Sequence, residues 1–347
     1  MSDLGELGLL ARIESILSIP ETAQESGGAS AAARVLVGVG DDAAAVELGD
    51  GRVLLLSCDS MVEGVHFLPG ACAPDTIGFR AMAAALSDIG AMGGTPAWAL
   101  VTLAAPPDAD AALAEEVIRG ARGAAEREGA VIVGGDCVSS PGGLGIHVTV
   151  VGEGRRDSLL LRSAAKPGQV VLVTGTLGDS AAGLAVLRDR PRVDAASASY
   201  VTDRHLLPTP RIGAGAILAA HEGIGAAIDI SDGLIRDAGH IAERSGVAIR
   251  LSAERVPISP ECRRVADAMQ QSALRYALGG GEDYELLFTA ESDAVEDIRG
   301  TLRSRAALEA TVVGDVTEGR GVAIVDESGQ PIDGLPAGWD HFDAKGR

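Results

Sequence analysis

Apolar runs of strand length alternate with segments of helical spacing along most of this sequence. Arg52–Cys58 (RVLLLSC) has the character of a strand, and Asp75–Met92 carries apolar residues at the spacing of a helix. The alternation continues through a strand at Ala97–Leu103 and an acid-led helix at Asp108–Glu128. This pattern predicts a mixed α/β fold.

Each half of the chain shows this alternation. In the first half, helices are predicted at residues 4–17, 75–92 and 108–128, with strands at 52–58, 97–103, 130–133 and 146–151. In the second half, helices are predicted at residues 179–187, 210–221, 232–245, 260–269 and 293–303, with strands at 170–175, 226–230, 284–289 and 311–314. Between them lies Arg155–Gln169, which is charged and turn-rich. Because 347 residues exceed one ordinary core, we predict two domains, residues 1–154 and 155–347.

The charge balance restricts the possible partners. The chain has 29 basic and 49 acidic residues and a net charge of −20. Such a chain repels phosphate backbones and anionic membrane surfaces, so neither nucleic acid nor a membrane is an expected partner. An anionic ligand would need positive charge beside it, for which divalent metal ions are candidates.

Targeting signals and cysteine pairs are not evident. The N-terminal segment MSDLGELGLLARIE has acids where a signal peptide needs a basic region, and its apolar core is too short. The uncharged stretch Ile89–Pro107 approaches membrane-spanning length, but glycines and a proline interrupt it. The four cysteines are widely spaced, which predicts reduced thiols rather than a zinc site or disulfides. We therefore expect a cytoplasmic protein.

Acidic residues follow apolar runs at several places, beside glycine or a hydroxyl residue. Carboxylates at strand ends of α/β folds project into a common crevice. Clusters of oxygen ligands suit Mg²⁺, which usually binds through carboxylates together with substrate phosphates. The motifs are GVGDDAA (Gly38–Ala44), LSCDS (Leu56–Ser60), ALSDIGAMGG with Asp88, IVGGDCVSS (Ile132–Ser140) and IDISDGL (Ile228–Leu234).

Each motif also has an ordinary structural interpretation. Ser231 or Asp232 could cap the helix predicted to start at Gly233, and Asp and Gly are the expected residues of turns. For one such motif in isolation the cap is the better interpretation. Five in one chain favour a metal site, because independent turns have no reason to place acids after apolar runs so often.

Two common nucleotide-binding motifs are missing. A P-loop requires lysine followed by serine or threonine, whereas the lysines here are Lys166, before a proline, and Lys345. GVGDDA begins like a dinucleotide-binding fingerprint but places acids where a pyrophosphate would lie. The glycine-rich VTGTLGDSAAGL (Val173–Leu184) could hold an anion on its amides, although a plain strand-to-helix connection is the simpler interpretation.

Three further residues stand beside predicted strands or near the C-terminus. His66 lies in VEGVHF, and Glu282 lies in GGGEDYELLF. Taken singly, His66 is expected to be a structural or surface residue, and Glu282 could cap a turn. Trp339 in PAGWDHF could pack against a core edge or stack on a flat ligand.

Taken together and in order, these motifs resemble the thiamine-monophosphate kinase family from about Leu4 to Phe342. EGVHF, GGEDYEL and GWDHF are particular to that family, whereas the acidic motifs are shared with aminoimidazole ribonucleotide synthetase and selenophosphate synthetase. The resemblance implies phosphorylation of thiamine monophosphate by ATP with several Mg²⁺ ions. It also implies two α/β domains of the aminoimidazole ribonucleotide synthetase type and a homodimer formed through the N-terminal sheet.

The resemblance also implies roles for individual residues. Asp229 and Asp232 would assist the transfer through metal, with no general base assigned and with Asp41 in support. The implied metal positions are Asp42, Ser57, Cys58, Asp59, Asp88, Asp136, Asp229 and Asp232. The implied ATP contacts are Gly135, Asp136, Arg162 and Ser231. The implied thiamine phosphate contacts are His66, Glu282 and Trp339.

Two departures from the family pattern bear on these roles. Cys58 stands where threonine is common beside a metal, so the metal contact there would be either lost or made by the backbone. Ile118 stands near the place of an aromatic residue next to the nucleotide in some relatives, which leaves the adenine contacts open. The alternatives are another ATP-dependent enzyme of the aminoimidazole ribonucleotide synthetase type and a non-enzymatic metal- or nucleotide-binding relative. Glu21–Arg34, rich in Ala, Ser and Gly, is expected to form a surface loop.

Overall fold

Two six-stranded β-sheets, one from each half of the chain, form the framework of the fold. The computed structural model describes residues 5–17, 34–336 and 338–339. The strands are β1 (Arg34–Val37), β2 (Ala44–Gly49), β3 (Arg52–Val62), β4 (Thr95–Ala105), β5 (Val131–Ser139), β6 (Gly145–Arg155), β7 (Val170–Thr174), β8 (Ile224–Asp229), β9 (Ala248–Ser252), β10 (Leu286–Ala290), β11 (Ala310–Thr317) and β12 (Gly321–Val325). Their orders are β1-β2-β3-β6-β4-β5 and β12-β9-β11-β7-β10-β8.

The helices lie between and against these sheets. Those of the described residues are α1 (Gly5–Leu17), α2 (Pro74–Ala91), α3 (Ala111–Arg127), α4 (Asp179–Asp189), α5 (Ala195–Leu206), α6 (Ile212–Ala219), α7 (Leu234–Ser245), α8 (Pro260–Ala268), α9 (Ala273–Gly279) and α10 (Val295–Ala306). Within this part of the chain, no helix combines the length and the apolar character needed to cross a membrane.

Helix α2 covers one face of the first sheet and is buried along most of its length. In β3, Val53, Leu55 and Ser57 are buried, whereas the alternate residues Leu56 and Cys58 are exposed. Helix α3 packs closely on α2 at Gly120, where an added Cβ would lie 1.7 Å from the Asp75 carbonyl oxygen. The opposite face of the sheet, which carries Leu56 and Cys58, is exposed in the described part of the chain.

The second sheet is buried more completely. Every residue of β10 is buried, and β8 is buried from its second residue to Asp229 at its end. Helices α7 and α10 supply apolar side chains to two separate clusters at this sheet. The position of Asp229 therefore follows from a core strand, which fixes the carboxylate in place.

The predicted mixed α/β architecture in two halves is confirmed. All eight predicted helices are present with ends within three residues of the prediction, and all eight predicted strands are present, several of them longer. Strands β1, β2, β9 and β12 and helices α5 and α9 were not predicted. Most of these strands are short, and charged or glycine residues interrupt them or lie at their ends.

The proposed division between residues 154 and 155 stays a prediction. Strand β6 ends at Arg155, and two short 3₁₀ turns, Arg156–Ser158 and Arg162–Ala164, precede β7. Helix α1 contacts the second half of the chain, because Arg244 Nη1 in α7 lies 2.8 Å from Glu14 Oε1. The segment 21–33, for which a surface loop was predicted, lies outside the described residues.

Candidate active site

Three of the predicted metal-binding acids lie together where the two halves of the chain meet. Asp42 precedes β2, Asp88 is in the last turn of α2, and Asp229 ends β8. One carboxylate oxygen from each residue lies within 4.8 Å of those of the other two. We call Asp42, Asp88 and Asp229 the acid cluster. Two of its members come from the first half and one from the second, so a bound cation would link both halves.

Serine hydroxyls hold two members of the acid cluster. Ser57 Oγ donates to Asp88 Oδ2, and the fully buried Ser87 donates from Oγ to Asp229 Oδ2 at 2.6 Å. Each bond uses one oxygen of the carboxylate. The remaining oxygen of each acid can therefore serve another partner.

Arg162 contacts the third member of the cluster. Arg162 Nη2 lies 2.5 Å from Asp42 Oδ1, and the Arg162 amide donates to Asp41 Oδ2 at 3.1 Å. Asp41 thus holds the backbone at Arg162. Asp42 Oδ2 is buried and has no hydrogen-bond partner among the residues that the structure describes.

The acids of this region raise one another's pKa. Burial is the larger cause and the negative charge of Asp42 the next, and together they raise the pKa of Asp229 to about 7. Burial and the charges of Asp229, Asp42 and Asp59 raise the pKa of Asp88 well above its usual value. Burial lowers the pKa of Arg162, but its pairing with Asp42 outweighs burial and raises it. Such a cluster is costly to ionise without a cation.

The acid cluster suits a hard divalent cation. Its ligand atoms are carboxylate oxygens, which Mg²⁺ prefers, and the orphaned Asp42 Oδ2 is an unused acceptor in a buried position. A cation there would offset the mutual repulsion that raises the pKa values. Ser57 is bonded to Asp88, and Asp59 is close enough to act on its charge, so both predicted positions border the cluster.

The loop between β8 and α7 has a different local structure from the predicted cap. Helix α7 begins after Gly233, and neither Ser231 nor Asp232 caps it with a side chain. Asp237 performs the bonding instead, because its Oδ2 accepts from the amides of Asp232 (3.2 Å) and Gly233 (3.1 Å). The helix-cap interpretation of the two predicted residues is therefore wrong.

Asp232 is separate from the acid cluster. Its Oδ2 lies 3.3 Å from Arg236 Nε, and it forms a second group of possible metal ligands with Asp237 and His240. The Trp339 amide donates to the Asp232 carbonyl at 3.0 Å, and Arg236 donates to the Trp339 carbonyl. The C-terminal segment thus contacts the same loop that carries Ser231 and Asp232.

His66 and Glu282, two of the predicted thiamine phosphate contacts, share a partner that was not predicted. Arg80 Nη2 lies 2.7 Å from Glu282 Oε2, and Arg80 Nη1 donates to the His66 carbonyl at 3.3 Å. The Glu282 amide donates to the Ser231 carbonyl at 2.8 Å. Hydrogen bonds therefore connect these residues to the loop that carries Ser231.

The remaining predicted residues are not members of the acid cluster. Gly135 and Asp136 are in the edge strand β5, and in the described part of the chain no hydrogen bond or ion pair joins Asp136 to the three acids. The Cys58 thiol projects to the exposed face of the sheet, opposite Ser57, and contacts Thr149. Ile118 packs against the first core. The structure does not bring the Cys58 thiol to the cluster.

A buried ion network lies beside this region and was not predicted. Glu285 is fully buried and accepts from Arg204 Nη2 at 2.7 Å and from Arg211 Nε at 2.8 Å. Burial raises the pKa of Glu285, but Arg211 and Arg204 lower it below its usual value. Both arginines lie in the motif RHLLPTPR (Arg204–Arg211), which is the sequence feature that could have indicated this network.

Family models and curated relatives match most of the chain. The family model described as AIR synthase related protein, N-terminal domain, matches residues 40–154, and the corresponding C-terminal domain model matches residues 166–327. Thiamine-monophosphate kinase of Aquifex aeolicus (strain VF5) is 36% identical over 342 residues, covering 99% of each chain. The enzyme of that name from Escherichia coli (strain K12) is 40% identical over 315 residues, covering 89% of this chain and 92% of the relative.

A solved structure shows the same overall fold. The structure of AaThiL complexed with AMPPCP and TMP superposes with a TM-score of 0.81 at 35% identity, covering 98% of each chain. That protein therefore holds an ATP analogue and TMP on the fold that this chain shares.

Proposed function

We propose that this chain, which belongs to the thiamine-monophosphate kinase family, transfers the terminal phosphoryl group of ATP to thiamine monophosphate, giving thiamine diphosphate and ADP. The relatives of that name and the complex of AaThiL with AMPPCP and TMP support this activity. The observation in this chain that carries the proposal is the acid cluster with its orphaned Asp42 oxygen.

Mg²⁺ fits the acid cluster as a cofactor. Asp42, Asp88 and Asp229 would hold it, with Ser57 and Asp59 at the border. Bound there, it would neutralise phosphate charge, which is the main requirement of phosphoryl transfer. Asp232, on the neighbouring loop, offers a separate carboxylate for a further ion.

Arg162 balances the charge of the site before substrates bind. Its guanidinium pairs with Asp42 while its side chain remains 18% exposed, so it can change partner. When a cation neutralises Asp42, Arg162 becomes available to the phosphates of ATP. This agrees with the ATP contact that the family resemblance implies for Arg162. Ser231 and Gly135 offer a hydroxyl and a close backbone approach for further ATP contacts.

The acceptor needs no general base. A phosphate monoester is already anionic at neutral pH, so its oxygen can attack without losing a proton to the protein. The protein's part is to align the acceptor with the donor. We assign this part to His66 and Glu282 together with Trp339, which contacts the Asp232 loop.

The metal requirement can be measured with ADP release coupled to a reporter enzyme. Turnover should require both thiamine monophosphate and Mg²⁺ and should stop in excess EDTA. Asp42→Asn should reduce turnover by about 100-fold or more, because it removes one charge from the proposed Mg²⁺ site. Full activity of Asp42→Asn at low Mg²⁺ would exclude the acid cluster as the metal site.

We propose that the protein is a homodimer formed through the open face of the first sheet. Apolar side chains are exposed on β3, β4 and β5, which is unusual for a monomer surface. They are Leu56, Val62, Trp98, Leu100, Val131, Val133 and Val138. Sedimentation should show a dimer for the protein and a monomer for Leu100→Glu. A monomeric parent protein would refute the dimer.

We also propose that the protein acts in the cytoplasm. ATP, its proposed co-substrate, is available there. All four cysteines are free thiols, as expected for a reducing compartment. Fractionation of the source cells should find the protein in the soluble cytoplasmic fraction, and recovery elsewhere would contradict this location.

A further inference from the structure

Arg80 is a buried charge inside an otherwise apolar stretch of helix α2, residues 77–86. It is the one charged residue between Thr76 and Ser87 in α2, and its side chain is 1% exposed. Burying a guanidinium is costly unless specific partners compensate for its lost hydration. A guanidinium at this position therefore implies that its hydrogen bonds have a role that an apolar side chain could not fill.

Its contacts join two segments that are far apart in sequence. One nitrogen bonds to Glu282, 202 residues away, and another bonds to the carbonyl of His66. His66 is itself anchored, since its Nδ1 accepts from the Val62 amide at 3.0 Å. Arg80 thus fixes both the VEGVHF turn and the loop that carries Glu282.

Glu282 is held in an unusual backbone conformation. Its φ is 63°, in the left-handed region that non-glycine residues rarely adopt. Its Oε2 takes the Arg80 bond and lies 3.5 Å from His205 Nδ1, while the side chain remains 25% exposed. In the described part of the chain, no hydrogen bond or ion pair involves its other oxygen, Oε1. The Ser231 carbonyl accepts from its amide, so a shift of Glu282 would also disturb the loop that carries Ser231.

We propose that Arg80 is a positioning residue for the acceptor, which fixes Glu282 and the His66 turn as one binding surface for the organic part of thiamine monophosphate. This inference rests on the proposed function. Arg80 touches neither substrate in this account. It acts by holding one oxygen of Glu282 so that the other faces the ligand.

Calorimetry on the full chain tests this role. Thiamine monophosphate is titrated into protein saturated with AMPPCP and Mg²⁺, and AMPPCP with Mg²⁺ is titrated separately. Arg80→Met should raise the Kd for thiamine monophosphate about 10- to 100-fold. Without Arg80, Glu282 would no longer be held in position and would lose most of its contribution to binding. The Kd for AMPPCP should change by less than about threefold, and Arg80→Lys should recover part of the loss.

A double-mutant cycle with Glu282→Gln separates positioning from general damage. The double variant should bind thiamine monophosphate no more weakly than the weaker single variant, because both changes break the same arrangement. An unchanged Kd for thiamine monophosphate in Arg80→Met, or equal losses for both ligands without rescue by lysine, would overturn the proposal.

Two other outcomes remain distinguishable. If Arg80→Met does not fold, Arg80→Lys carries the test: a rise in the Kd for thiamine monophosphate alone supports the role, and unchanged affinities overturn it. If the unaltered protein binds AMPPCP but neither binds nor phosphorylates thiamine monophosphate, the proposed function fails, and the positioning role fails with it.

Discussion

Replacing Ser87 by alanine should weaken Mg²⁺ binding without affecting the fold. Ser87 is fully buried, and its Oγ donates to Asp229 Oδ2 at 2.6 Å. This bond favours the ionised carboxylate, which is the form that binds a cation. In Ser87→Ala, Asp229 stays buried beside Asp42 but loses the donor, so its pKa should rise further.

The size of the effect follows from the bond. A hydrogen bond to a charged group contributes about 1.5–3 kcal/mol, which corresponds to roughly 1–2 pKa units. The pKa of Asp229, about 7 in the unaltered protein, should therefore rise to about 8–9. At about pH 7.5 its ionised fraction would fall from roughly three quarters to between a quarter and a few per cent, raising the Mg²⁺ half-saturation about 3- to 25-fold. At about pH 9.5 the difference should shrink to less than about twofold.

The assay measures Mg²⁺ half-saturation of thiamine-dependent ADP formation at both pH values, with Mg²⁺ binding by calorimetry as a second readout. Ser197→Ala is the control, because it removes another buried hydroxyl that bonds to Asp194, away from the acid cluster. Equal Mg²⁺ half-saturation in Ser87→Ala and the unaltered protein near pH 7.5, or an equal rise at both pH values, would refute the reasoning.

Three further results are expected. Asp232→Asn should lower turnover about 100-fold or more with an unchanged melting temperature, because Asp237 rather than Asp232 bonds the amides at the start of α7; near-normal activity would remove Asp232 from the site. Gly135→Ala should cost about 3 kcal/mol or more in urea unfolding, since its Cβ would lie 1.8 Å from the Val101 carbonyl oxygen, whereas Gly134→Ala meets only ordinary contacts and should cost much less. The folded-state pKa of Asp229, about 7, exceeds its ordinary value of 3.8, so its contribution to stability is present below about pH 4 and lost as pH rises through about 7. The metal-free melting temperature should therefore fall over that range, and Mg²⁺ should raise it more at pH 8 than at pH 6; equal Mg²⁺ shifts would contradict the assignment.

Local pattern marked two members of the acid cluster, because each lies at or near the end of a predicted element, whereas Asp42 lies between β1 and β2, which were not predicted. Asp229 ends an apolar strand, and Asp88 lies near the end of an apolar helix, so local pattern alone marked both. Fold class followed in the same way, since periodicity within each segment determines which face is buried.

Contacts between distant segments were not predictable from local pattern. Arg80 meets Glu282 across 202 residues, and Glu285 meets Arg204 across 81. Nothing in the apolar surroundings of Arg80 indicates its partner. The direction of the Cys58 thiol follows from the strand itself: successive side chains alternate between faces, so the thiol lies opposite Ser57, and a metal contact of Cys58 through its backbone stays a prediction. Adjacency in a motif does not imply a shared site.

Product analysis tests the central claim most directly. The purified protein is incubated with ATP, Mg²⁺ and either thiamine monophosphate or the aminoimidazole precursor, and the products are separated by chromatography. We expect thiamine diphosphate with equimolar ADP, and no turnover of the aminoimidazole precursor. No thiamine diphosphate, with turnover of the other substrate or none, would contradict it and leave only the shared fold.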